Sequence, residues 1–163
     1  MTIVYFDSSA FVKLVVDEAG SDLAATLWDG CDAAVSSRLA YPEVRAALAA
    51  AGRAQRMDPA EQSRAESLWE DFWAATRTVE LTDDIAAHAG DLASRHALRG
   101  ADSVHLASLL AVGVTETLFA VWDQRLRTGA KATGVRLAPL ASSARRTSPS
   151  RDGHLASRPG SGG

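Results

Sequence analysis

The chain is nearly devoid of cysteine: Cys31 is the only one among 163 residues. A single thiol excludes an internal disulfide framework and any cysteine-cluster metal site, and it fits a reducing compartment. No apolar run approaches the roughly 20 residues of a membrane span, so no membrane association is expected. The N-terminus lacks a basic segment followed by an apolar stretch, so no secretion signal is legible. A cytoplasmic location is therefore expected, with other export routes left open. The Gly-x-x-x-x-Gly-Lys-Ser/Thr signature is absent, which removes the P-loop enzymes. Positive charge is scarce over most of the chain. Residues 1–140 hold 13 Lys and Arg against 19 Asp and Glu, a net −6, whereas residues 141–163 hold four Arg and one Asp, a net +3. An acidic body argues against loose, charge-driven nucleic-acid binding. It leaves room for an enzyme that holds a phosphodiester through bound cations, because such ions reverse the local sign.

What remains is ordinary for a soluble globular protein: 47% hydrophobic and 23% charged residues. The length suits one domain with a real core. Residues 1–140 form that expected domain. Residues 141–163, rich in Ser, Arg, Pro and Gly, have too little apolar surface to fold and are expected to be a disordered tail. No internal repeat is visible.

Short apolar runs alternate with segments of helical spacing. Thr2 to Phe6 reads as a strand, followed by helices over Ala10–Glu18 and Ser21–Trp28. Ala33–Ser36 reads as a strand, with Ser37 able to cap a helix that runs to about Ala51. Asp58-Pro59-Ala60-Glu61 combines an acidic cap, a proline at the first helical position and a Glu placed for a capping box. Val79–Leu81 is a brief strand candidate. Asp83 or Asp84 begins the next helix, and Ala101–Val112 forms another. Leu118–Trp122 has the composition of a buried strand, and Val135–Leu137 of a last short one. Such alternation predicts an α/β fold with a parallel sheet covered on both faces.

Four acids sit in unusual surroundings. Asp7 and Asp123 each end an apolar strand run, Glu43 lies in an otherwise apolar helix segment, and Asp102 opens a nearly uncharged helix. In a parallel sheet the carboxyl ends of the strands share one edge, where ligands bind. Each acid also has a simpler reading. Asp7 and Asp102 are suited to helix capping, Asp123 to a strand-end turn, and Glu43 to a solvated helix face. Together they suggest a site for Mg²⁺ or Mn²⁺, since clustered carboxylates repel unless a divalent cation lies among them. Such an ion can activate water and stabilise an in-line phosphoryl displacement.

Val4-Tyr5-Phe6-Asp7-Ser8-Ser9-Ala10, Glu43 in a small-residue helix, Leu98-Arg99-Gly100-Ala101-Asp102-Ser103-Val104-His105-Leu106-Ala107 and Trp122-Asp123-Gln124-Arg125-Leu126 follow one another in order. This series resembles the PIN-domain ribonucleases, and within them the VapC-type toxins of bacterial toxin–antitoxin pairs. The likeness spans about residues 2–138, and the Asp102 segment is its most specific part. It implies a three-layer α/β/α sandwich with a central, mainly parallel sheet. It implies an acidic pocket of Asp7, Glu43, Asp102 and Asp123 that binds Mg²⁺ or Mn²⁺ and cleaves RNA, often a structured tRNA or ribosomal RNA. A VapB-type antitoxin and a homodimer are implied as well. The chain departs from the pattern at Val121, where many family members carry Thr or Ser. Either Ser9 supplies the missing hydroxyl near the metal, as a contact to a metal-bound water or a phosphate, or that contact is absent.

Other residues remain open. Arg125, Arg127 and Lys131 form the best cluster for RNA phosphates, and serve equally as a solvated helix face. His105 is expected to be packed or hydrogen-bonded within the fold, since a metal-bound hydroxide needs no side-chain base. Trp69, Phe72 and Trp73 suit a core or a protein interface. A haloacid-dehalogenase-like phosphatase would want a second Asp two residues after Asp7, where Ser9 stands. The competing reading from another class is a non-catalytic PIN-like scaffold, which the presence of all four acids disfavours.

Overall fold

A computed structural model describes residues 1–140. The expected disordered tail, residues 141–163, lies outside the described residues. Five parallel strands form one sheet in the order β3-β2-β1-β4-β5. They are β1 (Ile3–Phe6), β2 (Ala33–Ser37), β3 (Arg77–Val79), β4 (Thr117–Ala120) and β5 (Arg136–Ala138). Among the described residues, seven helices surround them: α1 (Ser8–Val15), α2 (Ser21–Asp29), α3 (Ala40–Arg53), α4 (Pro59–Ala74), α5 (Asp83–His96), α6 (Gly100–Val112) and α7 (Gln124–Lys131).

Strand side chains alternate between faces, so β1 feeds two cores. Val4 and Phe6 pack with Phe11, Val44, Leu48 and Trp69 beneath α1, α3 and α4. Tyr5 packs on the opposite face with Leu92, Leu106, Leu109, Phe119 and Leu126 beneath α5, α6 and α7. Burial on both faces explains why the strands read as continuous apolar runs. It also places Trp69 wholly in the interior, with Phe72 and Trp73 partly buried beside it.

The helix starts follow local chemistry. Asp58 accepts from the Glu61 N–H and Glu61 returns a bond to the Asp58 N–H, both at 2.8 Å, which completes the expected capping box. α5 begins at Asp83, as expected, and Thr82 caps it through the Ile85 N–H. Asp83 and Asp84 occupy the first turn, where the helix dipole favours them. β3 lies two residues earlier than expected, because Arg77–Val79 pairs with Val35–Ser37. β4 ends at Ala120, two residues before the apolar run does.

The chain builds β1, β2 and β3 in one direction and then returns to place β4 on the other side of β1. The strand order thus reverses between β1 and β4, the position beyond whose strand ends open α/β sheets bind their ligands.

Candidate active site

Asp7 follows β1 and Asp123 follows β4, so both stand at the point of reversal. Both are also helix caps. Asp7 Oδ1 accepts from the Ala10 N–H at 2.9 Å, and Asp123 Oδ1 from the Leu126 N–H at 2.9 Å. Capping and a functional role are compatible here, because a cap engages mainly one carboxylate oxygen. Asp102 is not a cap. Arg99 holds that position, and Asp102 lies in the first turn of α6.

Ser9 joins the two strand ends. Its hydroxyl lies 2.7 and 2.8 Å from the two Asp7 carboxylate oxygens and donates to them. Its oxygen accepts from the backbone N–H groups of Trp122 at 2.9 Å and Asp123 at 3.2 Å. One donor and two acceptor positions exhaust a hydroxyl. Ser9 therefore acts as a strap between Asp7 and the Asp123 loop, with no valence left in this arrangement for a phosphate or a metal-bound water. Val121 is fully buried in the α5–α7 core, which explains why an apolar side chain stands there.

Glu43, in the first turn of α3, approaches from the other helical layer. Its Oε2 accepts from the Ser8 hydroxyl and lies 2.6 Å from His105 Nε2. The His105 Nδ1 lies 3.1 Å from the Tyr5 hydroxyl. The sequence places His105 correctly as a hydrogen-bonded interior residue. It does not reveal the connection to Glu43, because His105 and Tyr5 are brought together only by the packing of α6 on β1.

The electrostatics differ from acid to acid. Asp7 is only 3% exposed. Burial pushes its carboxyl up to about 6, against the pull of His105, the Ser9 hydroxyl and the Ala10 N–H. Burial, with the Asp123 carboxylate, also raises Asp102 above its ordinary value. Burial acts on Glu43 in the same sense, but the hydrogen bonds from His105 and the Ser8 hydroxyl outweigh it and hold Glu43 low.

These residues fit a hard divalent cation. Among the described residues, Asp102 Oδ2 is buried without a hydrogen-bond partner, an arrangement that costs free energy unless another ligand completes it. The donors are all carboxylate oxygens, the ligand type Mg²⁺ and Mn²⁺ prefer. Among the described residues, no three His, Cys, Asp or Glu side chains converge tightly enough to hold an ion by themselves. That suits Mg²⁺, which is commonly bound by one or two carboxylates plus water and substrate phosphate.

The expected basic cluster is divided. Arg127 donates to the backbone carbonyls of Val121, at 3.0 Å, and Pro139. Its guanidinium ties α7 to the ends of β4 and β5. Arg125 and Lys131 are exposed, and Lys131 borders a hollow of about 420 Å³ with Gln124 and Thr128. Among the described residues, no helix is long and apolar enough to cross a membrane.

A parallel five-stranded sheet between two helical layers, with Asp7 and Asp123 at its reversal point, defines the class: a three-layer α/β protein. The PIN-domain family model matches residues 4–130. Ribonuclease VapC45 of Mycobacterium tuberculosis is 66% identical over 139 residues, covering 85% of this chain and 96% of that protein. The crystal structure of M. tuberculosis VapC20, a sarcin–ricin-loop-cleaving toxin, superposes with a TM-score of 0.59 at 18% identity, covering 81% and 95% of the two chains. A toxin–antitoxin complex from Klebsiella pneumoniae superposes with a TM-score of 0.51 at 15% identity, covering 72% and 84%. The chain belongs to the PIN-domain family, among the VapC-type ribonucleases.

Proposed function

We propose that this protein is the toxin of a toxin–antitoxin pair and cleaves structured RNA endonucleolytically with the help of Mg²⁺ or Mn²⁺. The observation that carries this reading is Asp102 Oδ2, buried with no partner among the described residues while the Asp123 charge acts on both Asp102 and Asp7. In this reading Asp7, Asp102 and Asp123 hold the ion directly, and Glu43 completes the acidic set. A bound divalent ion would supply an activated water and offset negative charge on the phosphodiester. Asp7 is kept in a dry, strapped position by Ser9, and so needs no reorganisation as charge develops. Asp123 is fixed by its cap to α7 and by its own N–H on Ser9.

Arg125 and Lys131 are the side chains best placed on α7 to meet RNA phosphates. Arg127 adds its charge from a fixed position. The net −6 of residues 1–140 makes the ion the main source of attraction for the backbone. The family likeness supports a VapB-type antitoxin and a homodimer as partners, and action on cellular RNA fits a cytoplasmic location. The sequence similarity to VapC45, together with retention of all four acids, favours this reading over a non-catalytic scaffold.

Purified protein is expected to cut RNA only when Mg²⁺ or Mn²⁺ is present, and Asp7→Asn and Asp102→Asn to lose that cleavage. Cleavage undiminished in chelator, or in either variant, would overturn the mechanism. Mapping new RNA 5′ ends after brief induction in cells would identify the target.

A further inference from the structure

We propose that Tyr5 and His105 are positioning residues: a buried Tyr5–His105–Glu43 relay turns one Glu43 oxygen inward and leaves the other to the crevice. The proposal rests on reading Glu43 as part of the ion-holding set.

Hydrogen-bond accounting gives the relay a direction. The Tyr5 hydroxyl accepts from the Ser37 N–H at 3.0 Å, so its own proton is free to be donated. The buried Ser108 hydroxyl also adjoins Tyr5 and can donate to its second lone pair, which leaves His105 Nδ1, at 3.1 Å, to accept the Tyr5 proton. A neutral imidazole that accepts at Nδ1 carries its proton on Nε2, and that proton faces Glu43 Oε2 at 2.6 Å. The Ser8 hydroxyl donates to the same Oε2. Both bonds therefore fall on one oxygen, and Oε1 accepts none among the described residues. The carboxylate is held by its back and presents its front.

The location supports a role beyond packing. Tyr5 is fully buried and His105 is 2% exposed. Tyr5's strand neighbours Val4 and Phe6 are apolar, and a Phe would fill the same space without a hydroxyl to satisfy. The relay also crosses the carboxyl edge of the sheet. Tyr5 and His105 belong to the core beneath α5–α7, whereas Glu43 sits on α3 in the opposite layer. The Ser37 N–H ties the same hydroxyl to the end of β2, from which the chain leads into α3. Partners of this type commonly change metal affinity by about 10- to 100-fold when removed.

Three variants of the full chain test this: Tyr5→Phe, His105→Gln and His105→Ala, each checked for its melting temperature. Histidine labelled with ¹⁵N and observed at about pH 8, where free imidazole is neutral, reports the tautomer. His105 in the wild type is expected as the Nε2–H form, with the Nδ1–H form appearing in Tyr5→Phe. Mn²⁺ affinity measured by calorimetry is expected to fall about 10-fold or more in His105→Ala, to recover partly in His105→Gln, and to fall about 3-fold in Tyr5→Phe. An Nδ1–H tautomer in the wild type, or an unchanged tautomer in Tyr5→Phe, would overturn the relay. So would equal Mn²⁺ affinity in wild type, Tyr5→Phe and His105→Ala. Tyr5→Phe is nearly isosteric and carries the test should His105→Ala fail to fold. A wild type that binds no Mn²⁺ would overturn the metal reading instead, and the tautomer measurement would still decide the relay.

Discussion

Replacing Asp7 by Asn should make the protein more stable while removing its activity. Asp7 is buried, and burial pushes its carboxyl from the ordinary 3.8 to about 6. The folded protein therefore holds this proton more tightly than the unfolded chain does. Stability from this group is fully present below pH ~4 and is lost as pH rises through about 6. A displacement of about two pKa units at roughly 1.4 kcal/mol each places the cost of the charged form on the order of 3 kcal/mol at neutral pH. Asn keeps an oxygen for the Ala10 N–H and the Ser9 hydroxyl and carries no charge to desolvate, but its amide N–H groups meet a Ser9 oxygen already filled by the Trp122 and Asp123 N–H groups, a cost of about 1–2 kcal/mol. The net gain is about 1–2 kcal/mol, and for a chain of this size each kcal/mol moves the melting temperature by roughly 2–4 °C, so Asp7→Asn should melt about 2–8 °C higher at neutral pH in chelator. The gap should close as the pH is lowered toward 4. Added Mn²⁺ should raise the wild type and leave the variant nearly unmoved, since only the wild type gains from binding. Thermal melts followed by circular dichroism across this pH range suffice. A variant that melts at or below the wild type at neutral pH without divalent ions would refute the account of Asp7 as a desolvated acid.

Ser9→Ala strands the Trp122 and Asp123 N–H groups and should cost about 2 kcal/mol, read as a lower urea midpoint with an unchanged slope. Gly20→Ala should cost a similar amount, because Gly20 has φ of +99° and an added Cβ would lie 2.7 Å from the Trp122 indole nitrogen. Gly90→Ala, inside α5 with open space around it, should instead stabilise by about 0.5–1 kcal/mol in the same denaturation assay. Arg127→Ala should lower stability by about 2 kcal/mol through two lost carbonyl bonds. Arg125→Ala should leave the melt unchanged and lower the salt dependence of RNA binding, which separates the structural arginine from the exposed one.

Much of the architecture could be seen in the chain itself. Strands buried on both faces leave uninterrupted apolar runs, and the Asp58–Glu61 box marks its helix start without ambiguity. The acids at the ends of β1 and β4 were legible because the apolar runs stop there. Boundaries were less so: Val121 and Trp122 are as apolar as the strand before them, and only pairing with β5 shows that β4 ends at Ala120. Long-range bonds left no local trace. Nothing near Ser9 indicates that its hydroxyl will be consumed by residues 113 and 114 positions away. Nothing near His105 indicates a partner on β1 and another on α3. Arg127 looked like Arg125 in sequence, and differs only because the backbone carbonyls of Val121 and Pro139 fold against it.

The strap made by Ser9 also bears on when the protein becomes dangerous. During synthesis the chain emerges from its N-terminus, so Asp7, Glu43 and Asp102 are all made before β4 exists. Until β4 slots in beside β1, the Ser9 hydroxyl has no Trp122 or Asp123 N–H to hold, and the crevice lacks one of its walls. A ribosome-bound intermediate that stops at α6 thus carries three of the four acids but no completed site. If the four acids are the working site, no copy can act until nearly the whole described fold is in place.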